Sequence, residues 1–557
     1  MAQSVMATFT RTITVAAGVY APGHVGGLTR FVPFDLVDAV LAETGRVQRR
    51  LRLLPSRVGV YFVLTLGLFP RLGYARVWDK LVAGLTGLPG RMPAVPSEKA
   101  LRDLRRRVGV APMRALFEIV AGPLAQPHTP GVRYRGLRTV AFDGCSSIKA
   151  PDAERSRSWL GKIRHQQGWA GYPALMLMAL VETGTRGLLG ARSGPVTDTG
   201  ETGYAHRLLH LLTPDMLLLT DRGFDSNTFL HAVAGTGAQF LTRITTQRRP
   251  TVLTPLPDGS YLTTFAGLPV RVIEAVVTVT TSTGQQVTGE YRLATTLLQH
   301  HRHPAEALLR LYHERWEIES TFYALRHTLL NGRVLRSTDP TGLHQELWAL
   351  LITYQALRMA MLEAVETRPG TNPDRASFTI ALQHATDQII NSTDITPDPA
   401  RALGVIGTAV LAGLLPKRRD RISVRKVKAP TSRYTRRPPD DHRPDTSTPV
   451  TTRTHTIHPR RHTETPRTAL RHVPGLGDQP TSMREHCIAL LNTRPTHNWH
   501  LRDIAARLPF TNYETCRAQI ALWTRQGHLQ RTGPGLYTIP TSPNATKHSN
   551  LTKPANT

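Results

Sequence analysis

Cysteine is scarce. The chain has three, Cys145, Cys487 and Cys516, scattered over 557 positions, which excludes a disulfide framework and a paired-cysteine metal site. Long apolar runs are missing too. The longest, Val58 to Phe69, stops at Pro70, well short of the roughly 20 residues that span a bilayer. No charged-then-apolar leader opens the sequence, so a cytoplasmic protein with no membrane partner is expected. Acidic residues are few, 40 Asp and Glu against 69 Lys and Arg, for a formal net charge of +29. Only nine of the basic residues are lysine. A GC-rich coding sequence would explain arginine over lysine but not the surplus of positive charge. That surplus points to an anionic polymer as partner, nucleic acid first.

What is present suffices for folding. A hydrophobic fraction of 40% can fill buried cores, and the length allows three or four domains at about 150 residues each. Residues 1–30 are small and polar and read as a flexible arm. Residues 31–125 have helical spacing and read as a helical amino-terminal DNA-binding domain. Within it Ser97 caps an arginine-rich helix carrying Arg102, Arg105, Arg106 and Arg107, with a solvated bundle helix as the alternative. From about 131 to 245 strands and helices alternate, with strands expected at Arg138–Asp143, Ala174–Val181, Met216–Asp221 and Gln239–Ile244. Residues 250–298 read as an inserted β segment, and a long helix opens after Pro304 and runs to about Leu330, so the catalytic region spans 131–416. Residues 417–475 hold 16 Lys/Arg against 5 Asp/Glu and eight prolines, the composition of a disordered basic linker. Residues 480–540 show three helices and a hairpin, the winged-helix plan, opened by the capping pairs Ser482–Glu485 and Thr511–Glu514. A tail covers 541–557.

Two expected strands in the middle region end in aspartate: Arg138-Thr-Val-Ala-Phe-Asp143-Gly144 and Met216-Leu-Leu-Leu-Thr-Asp221-Arg222-Gly223. An apolar strand followed by a reversal at glycine sets its carboxylate at the rim of a sheet. One such motif is an ordinary turn, whereas two in one domain suggest a paired site for a hard cation. The long helix adds a third carboxylate. With Tyr312 at 0° and about 100° per residue, Arg315, Glu319 and Arg326 fall within one stripe at about −60°, −20° and −40°, bordering the apolar face. Glu317 falls at about 140° and is expected to face solvent.

These residues resemble the insertion-sequence-four family of DDE transposases. The family's signature is Tyr, two residues, Arg, three residues, Glu, six residues, Lys. Here Tyr312, Arg315, Glu319 and Arg326 keep every spacing, with arginine where the family usually has lysine. Residues 31–125 also resemble the family's amino-terminal domain, and the likeness extends over roughly 30–430. It implies an α/β fold with an RNase H-like catalytic core, flanked by the helical amino-terminal domain and the winged-helix-like module. It further implies two Mg²⁺ ions, replaceable by Mn²⁺, held by the catalytic residues Asp143, Asp221 and Glu319. Tyr312, Arg315, Arg326 and Arg222 would contact DNA phosphates. The partners implied are transposon ends and target DNA, with a homodimer in the DNA complex. The function implied is cleavage at element ends and strand transfer into target DNA, by cut and paste. The alternatives are a catalytically inactive DNA-binding derivative and a nuclease of the same fold without strand transfer.

Three further features read as structural. The histidines of Gln299–His303 lack partner ligands for a metal site, Cys145 reads as a small residue beside a turn, and Trp159, Trp169 and Trp316 as core packing.

Overall fold

The structure, a computed structural model, describes residues 12–14, 20–50, 52–85, 94–165, 168–280, 286–395, 403–417, 454–459, 483–494, 497–508, 513–533 and 536–540. It divides into two compact units, residues 1–464 and 465–557.

In the first unit, five helices lead into a large mixed sheet: α1 (Phe34–Glu43), α2 (Ser56–Leu68), α3 (Tyr74–Val82), α4 (Glu98–Val108) and α5 (Ala111–Val120). The strands that position the site are β1 (Leu137–Lys149), β2 (Ala174–Glu182) and β3 (Leu188–Pro195). After helix α6 (Val196–His206) come β4 (Met216–Thr220), helix α7 (Asn227–Gly235) and β5 (Gln239–Arg243). Their order is β3-β2-β1-β4-β5. The first three form an antiparallel meander, and β4 and β5 each run parallel to the neighbour before them. Three more strands, β6 (Tyr261–Phe265), β7 (Leu268–Thr280) and β8 (Gln286–Thr295), extend the same sheet through the antiparallel pair β5–β8.

Strand β1 runs past the aspartate where it was expected to end. It continues through Gly144 to Lys149, with a register shift between Cys145 and Ile148. Alternation along it sorts the two cores. Ala141 and Cys145 lie on one face, in a core shared with Leu217 and Leu219, while Val140 and Phe142 lie on the other with Leu218, Phe224 and Phe229.

The expected long helix after Pro304 is not uniform. It comprises α8 (Ala305–Tyr312), a 3₁₀ turn at His313–Trp316, α9 (Glu317–Tyr323) and a π-helical turn at Ala324–Leu329. Helix α10 (Pro340–Glu366) is buried along most of its length, as an element apolar all round must be. It packs on α2 and α5, with Trp348 and Phe117 rings 5.2 Å apart. Helix α11 (Phe378–Asn391) follows.

Three expectations about organisation need correction. The amino-terminal helices do not form a core of their own: Phe62, Leu104 and Phe117 share one with Leu347, Leu351 and Ala141. Residues 24–30, assigned to a flexible arm, are tucked in, since Val25 and Leu28 are buried and Gly27 N–H donates to Gln388 Oε1 at 3.2 Å. Inside the stretch assigned to a disordered linker, β9 (Thr454–Pro459) pairs antiparallel with residues 275–280 of β7. Its β-branched, alternating Thr-His-Thr-Ile-His suits an edge strand. Residues 418–453 and 460–475 of that stretch, and the 541–557 tail, lie outside the described residues.

In the second unit, helix α12 (Met483–Asn492), β10 (Trp499–His500), α13 (Leu501–Arg507), α14 (Tyr513–Arg525), β11 (Gln530–Gly533) and β12 (Leu536–Thr538) enclose a small core. Cys487, Leu491, Ile504, Cys516, Ile520 and Trp523 fill it, and the strands order as β10-β12-β11. Ser482 and Thr511, the expected caps, lie outside the described residues.

Candidate active site

Parallel pairing builds the centre. The β1–β4 register sets Ala141 opposite Leu219, and two residues on, it brings Asp143 alongside Asp221. The Asp143 carboxylate accepts from Gly144 N–H at 3.0 Å. The Asp221 carboxylate accepts from Gly223 N–H at 2.7 Å, capping the 3₁₀ turn Arg222–Phe224. Glu319 on α9 joins them through Arg315, whose guanidinium lies 3.8 Å from Asp143 Oδ2 and 3.2 Å from Glu319 Oε1. Arg315 is 4% exposed. Burial opposes its charge, but Tyr312, Asp143 and Glu319 outweigh that and raise its pKa.

Burial pushes the Asp143 carboxyl up to about 7. Arg315 offsets this, while Glu201, Asp221 and Glu319 add to it. A carboxylate crowded by three others holds its proton unless a cation compensates. Hard oxygen donors of this kind suit Mg²⁺ or Mn²⁺. The side chains stand apart, bridged by Arg315. Among the described residues no group of three or more carboxylate, imidazole or thiolate side chains closes to coordinating distance.

Glu201, in α6, is the residue that sequence reading missed. It stands directly after a helix break at Gly200 (φ 66°), and its carboxylate fills the space that a side chain at Gly144 would need. No motif spacing marks it, because its place in the site depends on α6 crossing the sheet.

The remaining expected residues are distributed unevenly. Tyr312 is buried, its ring 6.3 Å from that of Tyr291, and burial pushes its hydroxyl up to about 12. Arg326 is half-buried on the π-helical turn; burial pushes the Cys145 thiol up, and Ser147 and the nearby Arg326 oppose that only in part. Arg222 is exposed. Glu317, expected to face solvent, is fully buried and pairs with Arg186; Arg186 also reaches Asp374 at 2.5 Å. The 3₁₀ turn before Glu317 explains the error. Four residues advancing about 120° rather than 100° rotate it by about 80°, into the buried sector.

Of the arginine-rich helix α4, Arg105 is not available to a ligand. It is buried and bonds to Gln345 at 3.0 Å and Glu346 at 3.1 Å. Arg102 and Arg106, with Arg336, line a cavity of about 200 Å³ beside the start of α10. Cys145 is buried in β1 rather than beside a turn. Trp159 packs against the core, whereas Trp169 is 66% exposed and is not a core residue.

The strand order and the carboxylates gathered at the ends of the paired parallel strands define a mixed α/β core, and the chain's likeness to known proteins gives its family. A model of the insertion element 4 transposase amino-terminal region matches residues 22–118. A model of the transposase DDE domain matches residues 135–356. The transposase InsG for insertion sequence element IS4 of Escherichia coli (strain K12) is 26% identical over 417 residues, covering 72% of this chain and 91% of that protein. The putative transposase InsZ of the same organism is 29% identical over 135 residues, 24% of this chain and 44% of that protein. Among solved structures, the piggyBac transposase synaptic complex with hairpin DNA aligns with a TM-score of 0.36 and 10% identity, over 68% of this chain and 82% of that one. The chain belongs to the DDE transposases, within the insertion-sequence-four family.

Proposed function

We propose that this transposase cleaves DNA at the ends of its element and joins those ends to target DNA, with Asp143, Asp221 and Glu319 holding two divalent metal ions. The observation that carries this reading is the convergence of the three carboxylates around one buried guanidinium. The strand order β3-β2-β1-β4-β5, with β4 and β5 parallel to β1, supports an RNase H-like core. Two metal ions would supply an activated attacking oxygen and stabilisation of the leaving oxygen. The chain's own residues do the rest. Asp143, on the paired strand β1, and Asp221, capping the turn directly after β4, are each held by a backbone N–H that the carboxylate accepts. Arg315 is held by the carboxylates and is positioned to exchange them for a phosphate oxygen. Arg326 and the exposed Arg222 flank the same rim and would hold the DNA backbone, while Tyr312 supports Arg315 from within the core.

DNA as partner is supported by the net charge of +29 and by the family. The helices and small sheet of the second unit fit a winged helix, with Arg517 and Arg525 exposed on α14 as backbone or groove contacts. A homodimer, one copy per element end, would assemble on the DNA. The test is nicking of a labelled end duplex in Mg²⁺, alongside gel shift, for Asp143→Asn, Asp221→Asn and Glu319→Gln. Each should reduce cleavage to background while leaving end binding largely intact, because ligation needs the carboxylate charge and binding rests on basic residues. Normal cleavage by any one variant would remove that residue from the site.

A further inference from the structure

Glu201 enters the site by a route the other carboxylates do not use. Asp143 and Gly144 are successive residues of β1, so their side-chain directions point to opposite faces of the sheet. A Cβ at Gly144 would overlap the Glu201 carboxylate, which therefore approaches from the face opposite Asp143. Near the other aspartate, Glu201 Oε2 lies 3.8 Å from where Gly223 would carry a Cβ, a point 2.9 Å from Asp221 Oδ1. Gly144 thus leaves room for the Glu201 carboxylate, which also comes within ordinary contact range of the Gly223 position beside Asp221. A second observation concerns Arg315. It is buried and aimed at Asp143 and Glu319, and its Nε has no hydrogen-bond partner among the described residues.

We propose that Glu201 is a fourth carboxylate ligand of the divalent-metal site, acting with Asp143 and Asp221. The inference rests on the metal-site reading above. Charge balance favours it. Asp143, Asp221 and Glu319 with Arg315 carry two net negative charges, so two dications would leave a buried surplus of two positive charges. Glu201 reduces that surplus to one, which a single phosphodiester anion neutralises.

The experiment uses the full-length protein and Mn²⁺ as the probe, read by calorimetry and by the rise in melting temperature on adding Mn²⁺. Glu201→Gln keeps the side chain's shape and removes its charge. Its Mn²⁺ affinity should fall by about tenfold or more, and its gain in melting temperature should shrink. Without metal it should melt no lower than wild type, since a like charge has been removed; a merely structural role for Glu201 would lower that temperature. Glu306→Gln, on the exposed face of α8, serves as the neutral control. If Glu201→Gln binds Mn²⁺ like wild type while Asp143→Asn is weakened, Glu201 is not a ligand and the three-carboxylate reading stands. If Asp143→Asn also binds like wild type, the metal-site reading itself fails. Should Glu201→Gln not fold, Glu201→Asp keeps the charge on a shorter arm, and unchanged Mn²⁺ affinity there would overturn the proposal.

Discussion

Asp143 shows how much of a residue's chemistry comes from its surroundings. Alone it would titrate near 3.9; in the fold, burial first and then Glu201, Asp221 and Glu319 carry it to about 7, against the pull of Arg315. The sign of the consequence follows from linkage. Its folded pKa lies above its unfolded one, so its contribution to stability is fully present below about pH 4 and is lost as pH rises through 7. In the presence of chelator, wild type should therefore lose stability between pH 4 and pH 7 relative to Asp143→Asn. Urea midpoints across that range measure it, and parallel curves would mean an ordinary carboxyl. Mn²⁺ should remove much of the difference at pH 7 by favouring the ionised form. The aspartates and Glu319 could be singled out in the sequence because each carries a local signature: an apolar run closing in aspartate just before a glycine, or a fixed helical spacing. Glu201 and Arg186 have no such signature, and neither does the burial of Arg105, which depends on Glu346, a residue 241 positions away.

The element between Pro304 and Leu330 marks the limit of ideal geometry. A uniform helix turns Glu317 to solvent, yet the 3₁₀ turn at His313–Trp316 winds it inward, where Arg186 meets it from the β2–β3 turn and Asp374 completes the cluster. That cluster anchors α9 two residues before Glu319. Removing Arg186 takes the counter-charge from both Glu317 and Asp374, so Arg186→Ala should cost about 3–5 kcal/mol of stability, whereas Glu317→Ala leaves Arg186 its pair with Asp374 and should cost about 1–3 kcal/mol. The double variant should cost less than the sum of the two. Denaturant unfolding of the three variants measures this, and a loss under about 0.5 kcal/mol for Glu317→Ala, the range of surface positions, would return Glu317 to the surface. The Arg315→Ala variant probes a different property. It frees Asp143 and Glu319 from their counter-charge, so it should reduce end-duplex cleavage more than it reduces stability.

At the scale of the molecule, the extension beyond the catalytic region has two parts with different physical roles. Composition alone assigns residues 417–475 to a linker, and a chain ending near Pro416 would then keep its catalytic fold unchanged. In the fold, β9 covers residues 275–280 of β7, and removing it exposes an edge open to pairing with other chains. A chain ending at Glu464 should thus melt like the first unit of the full protein, whereas one ending at Pro416 should melt lower and aggregate more readily. Calorimetry and light scattering on the two truncations compare them; identical behaviour would show that β9 contributes nothing. Both should bind DNA with a shallower salt dependence than the full chain, the log–log slope falling by about 0.9 for each DNA phosphate that the truncated protein no longer neutralises. An unchanged slope would assign the second unit to protein contacts.

The sequence by itself determined the strands that carry Asp143 and Asp221, the stripe that carries Glu319, and the helical or β character of most segments. Those features follow from periodicities of two and 3.6 and from glycine and proline punctuation, all local properties of the chain. Only tertiary structure decided that the amino-terminal helices share a core with α10, because an apolar stripe does not name its partner. Tertiary packing also turned Glu317 inward, buried Arg105 and paired a basic, proline-rich stretch with a sheet edge. It brought Glu201 beside the aspartates from the opposite face as well, because the gap at Gly144 is an opening only once α6 lies across it.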